Sequence, residues 1–201
     1  MKENIVKRAS ILAALLIGIG LSGCATSMQG NNLSPIENFP VVHPRKSVSL
    51  DLAFAGRLNG KPWSANDVHN TEYLKNLSIQ HLQESDMFRV VTTRRIPLDL
   101  ELKVAIINEK ATNPSRQILT ALTLFIVPYK STDTFQLLAV VKNPQTREQK
   151  TIKLEERVSH WQQLFLVPFS LFNRPDDELE KCRVRLLDNL CVEIYNSGML
   201  K

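Results

Sequence analysis

The sequence predicts an α+β domain: a mixed, largely antiparallel sheet of about five or six strands with two helices packed on one face. Three observations lead there. Leu98, Leu100, Leu102, Val104 and Ile106 alternate with Asp99, Glu101, Lys103 and Ala105, the period of a half-buried strand. Leu179, Cys182, Leu186, Leu187, Leu190 and Ile194 form the wide apolar stripe of a helix laid on a sheet. Leu74, Leu77 and Leu82 mark a second helix with one apolar side.

In chain order, the first strand is Ser47 to Phe54, where Val48, Leu50, Leu52 and Phe54 alternate with small and polar residues. Gly56 to Asn70 reads as a loop containing Asn59-Gly60, Lys61-Pro62 and Trp63, the last as a lid on the core. A helix is expected from about Thr71 to Ser85, capped by Asn70 or Thr71. Phe88 and Val90 open a short strand ending near Thr93, followed by the strand from Leu98. Thr120 to Val127 is apolar and partly β-branched, the pattern of a strand covered on both faces. Phe135 to Lys142 and Gln149 to Val158 form a pair around the turn Asn143-Pro144-Gln145-Thr146, with Ile152 and Leu154 inward. The last helix runs from about Pro175 to Tyr195. Pro175 suits its first turn, and Asp176, Asp177 and Glu178 suit its positive end. Gly198 follows the stop.

Before the domain come two further segments. Lys2, Lys7 and Arg8 precede an apolar run of 11 residues, Ile11 to Leu21, and then Ser22, Gly23 and Cys24. A membrane-spanning helix needs about 20 apolar residues, so this run suits a cleaved secretory signal, residues 1–23. Residues 24–46 carry Pro35, Pro40 and Pro44 without helical period and read as a partly extended tether, able to span roughly 70 Å. Residues 47–201 form the single domain. Removing the signal leaves about 178 residues, enough for a real core.

Leu21-Ser22-Gly23-Cys24 resembles the lipobox of bacterial lipoproteins. The resemblance implies a diacylglycerol on the Cys24 thiol, cleavage just before it and acylation of the new amine. Ala25 stands where Gram-negative lipoproteins held at the inner membrane carry Asp, which implies the outer membrane, facing the periplasm; an inner-membrane lipid anchor is the alternative. Two or more acyl chains anchor a protein stably where one does not. A second resemblance rests on residues 74–106. There a leucine-rich helix ending Leu82-Gln83-Glu84-Ser85-Asp86 leads to Phe88-Arg89-Val90 and then Leu98-Asp99-Leu100-Glu101-Leu102. It is similar to small envelope lipoproteins, the transport auxiliaries and secretion accessories whose domains resemble the N-terminal domain of TolB. It implies an accessory or assembly role in secretion, transport or envelope biogenesis, with a protein partner or further copies of the chain, and it carries no catalytic residues.

The formal charge is +5, of which the mature part keeps about +3, too mild to recruit nucleic acid. With Cys24 acylated, Cys182 and Cys191 remain. Nine residues apart on one helix they are separated by about 13.5 Å, too far for a disulfide, and are expected as thiols at least partly buried. Among the histidines, His43, His69, His81 and His160, none stands at metal-ligand spacing, so no metal or other cofactor is expected. Esterase elbow, zinc-protease and phosphate-loop motifs are absent from the sequence, and a non-enzymatic role is expected. A lipid- or glycan-binding module is the alternative, and would need a large apolar pocket between helices and sheet.

One near-repeat stands out. Leu124-Phe125-Ile126-Val127-Pro128-Tyr129 recurs as Leu164-Phe165-Leu166-Val167-Pro168-Phe169, with Trp161 just before the second copy. Two placements satisfy it. The copies are core strands ending at one edge, or Phe125, Pro128, Tyr129, Trp161, Phe165, Pro168 and Phe169 form an apolar surface that docks a partner or dips into a bilayer.

Overall fold

The computed structural model describes residues 25–30, 32–63, 67–94, 98–163 and 175–200. The proposed signal, Cys24, Phe165, Pro168 and Phe169 lie outside the described residues.

Strands β1 (Ala25–Gln29), β2 (Lys46–Leu58) and β3 (Lys61–Pro62) precede helix α1 (Asp67–Glu84). Then come β4 (Phe88–Thr92), β5 (Leu100–Ala111), helix α2 (Pro114–Leu122), β6 (Tyr129–Lys142), β7 (Gln149–Gln162) and helix α3 (Pro175–Asn196). The strands form one seven-stranded sheet in the order β1-β7-β6-β5-β2-β3, with β4 beside the start of β2. β2 runs parallel to β4 and β5, while β5, β6, β7 and β1 are successively antiparallel. The sheet is therefore mixed and largely antiparallel, as the alternation predicts.

Strict alternation gives the sheet one covered face. Val48, Leu50 and Leu52 of β2, Leu100, Leu102, Val104 and Ile106 of β5, and Phe135, Leu137, Ala139 and Val141 of β6 are buried in one cluster. Leu74 and Leu82 of α1 join it, with Cys182, Leu186, Leu187, Leu190, Cys191 and Ile194 of α3. The two helices lie side by side in the same direction. The Tyr73 hydroxyl donates to Glu180, and about two turns further along both, His81 Nδ1 lies 3.3 Å from Asp188 Oδ1. Cys182 and Cys191 are free, buried thiols. Burial first, then the charges of Glu156 and Asp188 respectively, push both up to about 12, so they remain unreactive thiols. Helix α3 ends at Asn196; Gly198, whose φ of 82° suits glycine, follows it, and Met199 and Leu200 fold back into the core.

Three expectations need correction. The stretch Gly56 to Asn70 is not one loop: β2 continues to Leu58, Asn59-Gly60, at φ 50° and 78°, turns it into β3, and Trp63, expected as a lid on the core, is exposed. Helix α1 starts at Asp67 rather than near Thr71, whose hydroxyl donates back to the Asp67 carbonyl (2.6 Å) instead of capping. Thr120 to Val127 is not a strand. Asn113 accepts from the Arg116 amide (3.1 Å) and caps α2, Pro114 fills its first turn, and Leu124 and Phe125 follow at φ 50° and 63°. Its β-branched residues suggested a strand, but the Asn-Pro start and the Ile118, Leu119, Leu122 spacing select a helix.

The expected spacer is also more structured than its prolines suggest. β1 pairs along β7, and Gly30 donates to the Arg157 carbonyl. Leu33 and Phe39 pack on the core, and Val42 is buried within it. Arg45 closes the strap on Asp86.

Candidate functional site

The sheet register gathers one end of the molecule. Ala25 of β1 pairs with Gln162 of β7, and Gln162 with Tyr129 of β6. Helix α2 leaves the end of β5 and returns at Tyr129, so it stands at this same end. Here helix α2 is exposed along its whole length except at Thr120. Thr120 is the buried residue of α2, whereas Ile118 (62 % exposed), Leu119 and Leu122 (77 %) face outward. The turn that follows exposes Leu124 (73 %) and Ile126 (57 %). Backbone bonds hold that turn: the Phe125 amide donates to the Thr120 carbonyl (2.8 Å), and the Thr123 hydroxyl to Leu119 (2.9 Å).

The residues expected at an apolar surface divide. Pro128 is exposed and Phe125 half-buried. Trp161 is half-buried under Lys130, whose Nζ lies 5.2 Å from the ring centroid, a cation–π distance. Tyr129 is buried, because it sits at an inward position of β6, so it belongs to the support of the site and not to its surface. Of the exposed aliphatic residues, Leu122 falls in the stretch that reads as a covered strand, Thr120 to Val127, and Ile118 and Leu119 precede it, where the sequence suggests no element.

Behind this end the sheet buries a polar row. His160 Nε2 lies 3.0 Å from Asp133 Oδ2, and Asn108 Nδ2 donates to Asp133 Oδ1 at 3.2 Å. Burial raises the Asp133 carboxyl, but the His160 hydrogen bond, the Lys110 and His160 charges and Asn108 outweigh it and hold the group below the usual carboxylate range. Ser131 faces His160 in register and is buried too. Beside them, fully buried Glu156 accepts from the Leu33 amide (3.0 Å), with Arg185 Nη1 at 3.7 Å. That carboxylate fastens the N-terminal strap to the sheet. Both polar groups follow from inward positions of β7, alternating with Ile152, Leu154 and Val158, a signal available in the sequence.

The second face of the sheet carries none of the described helices. Rows Asp51–Lys103–Val140–Thr151, Ala53–Ala105–Leu138–Lys153 and Ala55–Ile107–Gln136–Glu155 cross it. Its middle is apolar, with Leu138 42 % exposed, and its margins are charged. A shallow groove of about 430 Å³ runs there between Ala105, Ile107, Leu138 and Lys153. Among the described residues no cluster of His, Cys, Asp and Glu could hold a metal, and no helix is long and apolar enough to cross a membrane.

No family model matches the chain, and no curated protein matches it. Among solved structures it is similar to a Xanthomonas campestris protein of the DUF330 family. The two are 9 % identical over 82 % of this chain and 92 % of that one, at a TM-score of 0.40. An uncharacterised protein is 10 % identical over 80 % of this chain and 95 % of its own, at 0.35. A PelC dodecamer subunit from Paraburkholderia phytofirmans is 10 % identical over 69 % and 80 %, at 0.28. Likeness this weak carries no argument about function, which rests on the chain's own geometry.

Proposed function

We propose that this chain is a non-enzymatic, lipid-anchored accessory or assembly factor of the bacterial envelope. In this reading acyl groups on Cys24 hold it at the outer membrane, facing the periplasm, and it works through contact with another protein or with further copies of itself. The observation that supports protein contact is the sheet face that carries none of the described helices. A sheet normally buries an apolar face against another layer, and among the described residues the row Ala53–Ala105–Leu138 is left open inside a charged margin. The lipid- or glycan-binding alternative needs room between helices and sheet, and Phe135, Leu102, Leu187 and Cys182 fill that space. Ser131, His160 and Asp133 resemble a hydrolytic trio in residue type, but all three are buried, which suits a structural pin.

A photoreactive amino acid placed at Leu138 in intact cells tests the reading. Discrete adducts with one protein, or with a second copy, are expected after irradiation. Absence of any protein adduct, with the chain acylated and folded, contradicts it.

A further inference from the structure

Resting on that anchored reading, we infer that helix α2 and the turn after it insert into the surface of the bilayer, making a second, non-covalent contact beside the acyl chains. Three observations converge. The first is the exposed helix: Ile118 and Leu122, one turn apart, are open to solvent together with Leu119, Leu124 and Ile126. The second is position. Ala25, the residue after Cys24, already lies in β1 against Gln162, so no spacer separates the lipid acceptor from the sheet. Two strand spacings, about 10 Å, separate β1 from β6, where α2 returns at Tyr129. Acyl chains on Cys24 therefore bring this end, and not the opposite one, onto the membrane.

The third is charge. From Lys110 to Lys130 the sequence contains no Asp or Glu, and Lys110, Arg116 and Lys130 frame the apolar stretch. Cations around exposed aliphatic side chains, with Trp161 beneath Lys130, match a layer of anionic phospholipid headgroups over acyl chains. A partner protein would supply carboxylates to those cations, whereas a phospholipid surface supplies phosphates and a hydrocarbon floor at once. A helix lying in that interface is expected to sink about 5–10 Å, enough to cover Leu122 and Ile126.

The test uses the full chain carrying Leu122→Trp, purified in its acylated form and reconstituted into vesicles of phosphatidylethanolamine and phosphatidylglycerol with brominated acyl chains. Emission of the unsubstituted chain, from Trp63 and Trp161, is subtracted. Position 122 is exposed, so the variant is expected to keep its circular dichroism; should it not, Ile126→Trp takes its place. The introduced indole is expected to shift to the blue and lose roughly half or more of its emission to the bromines. Unquenched emission from a chain that mass spectrometry shows to be acylated and vesicle-bound overturns the inference and leaves the anchor standing. Burial of position 122 against a protein, shown by photocrosslinking there to a polypeptide instead of lipid, also overturns it. A chain with no acyl groups defeats the anchored reading itself, and the inference with it.

Discussion

Asp133 shows at the scale of one residue how partners outweigh burial. A buried carboxylate should titrate high, yet the His160 hydrogen bond and neighbouring positive charge keep it low. A folded-state pKa below the unfolded value stabilises the fold above the unfolded pKa of about 4, and that contribution is lost as pH falls through the lower folded value. Asp133→Asn is therefore expected to cost about 1–3 kcal/mol at pH 7, because His160 and Asn108 lose a charged acceptor. The gap between variant and parent should narrow as urea melts are moved from pH 7 toward pH 3. An unchanged gap would mean that Asp133 gains nothing from ionisation. The period-two pattern read from Gln149 to Val158 stops short of His160; its continuation to Gln162 places that histidine inward, and a histidine beside a tryptophan also reads as surface. Only its pairing with Asp133, 27 residues away in sequence, decides the matter.

At the scale of elements, the strands with one polar face were the legible ones. β5 alternates without a break, and its buried residues Leu100, Leu102, Val104 and Ile106 are those the pattern names. Helix α2 was not legible by the same rule, since its apolar side faces away from the core that periodicity arguments assume. The β2–β3 hairpin hid for a different reason: its second strand, Lys61–Pro62, is too short to show a period. Gly56 locks that hairpin to the start of α1. It accepts from the Trp63 amide at 2.9 Å and donates to Asp67 Oδ1 at 3.2 Å. A Cβ at this position would stand 2.7 Å from the Trp63 carbonyl oxygen and 3.3 Å from Asp67 Oδ1. Backbone must therefore move, and Gly56→Ala is expected to destabilise by about 1–3 kcal/mol. The denaturant midpoint should fall with the slope of the transition unchanged, and an unaltered midpoint would show that the hairpin yields freely.

For the whole molecule, the N-terminal segment is a strap and not a free leash. Prolines and polar residues hide its few anchors, Leu33, Phe39 and Val42, which have no period to read because each finds its own place on the core. Their burial, with the Leu33 amide on Glu156, ties the folded domain to the segment that leads from Cys24. A chain lacking residues 25–42 is expected to be less stable by about 3 kcal/mol or more, measured by urea denaturation against the chain that keeps them. Equal stability would mean that the strap only rests on the surface. Short attachment has a consequence for orientation: β1 starts immediately after the proposed acylation site, so acyl chains there would hold the exposed apolar end of the sheet close to a bilayer.

The proposed role turns on the chemistry at position 24. Mass spectrometry of the protein purified from its native host measures it directly. The account predicts an N-terminal peptide beginning at Cys24 and carrying a diacylglycerol thioether and an acylated amine. A mature protein that still begins at Met1, or whose Cys24 thiol is unmodified, contradicts it.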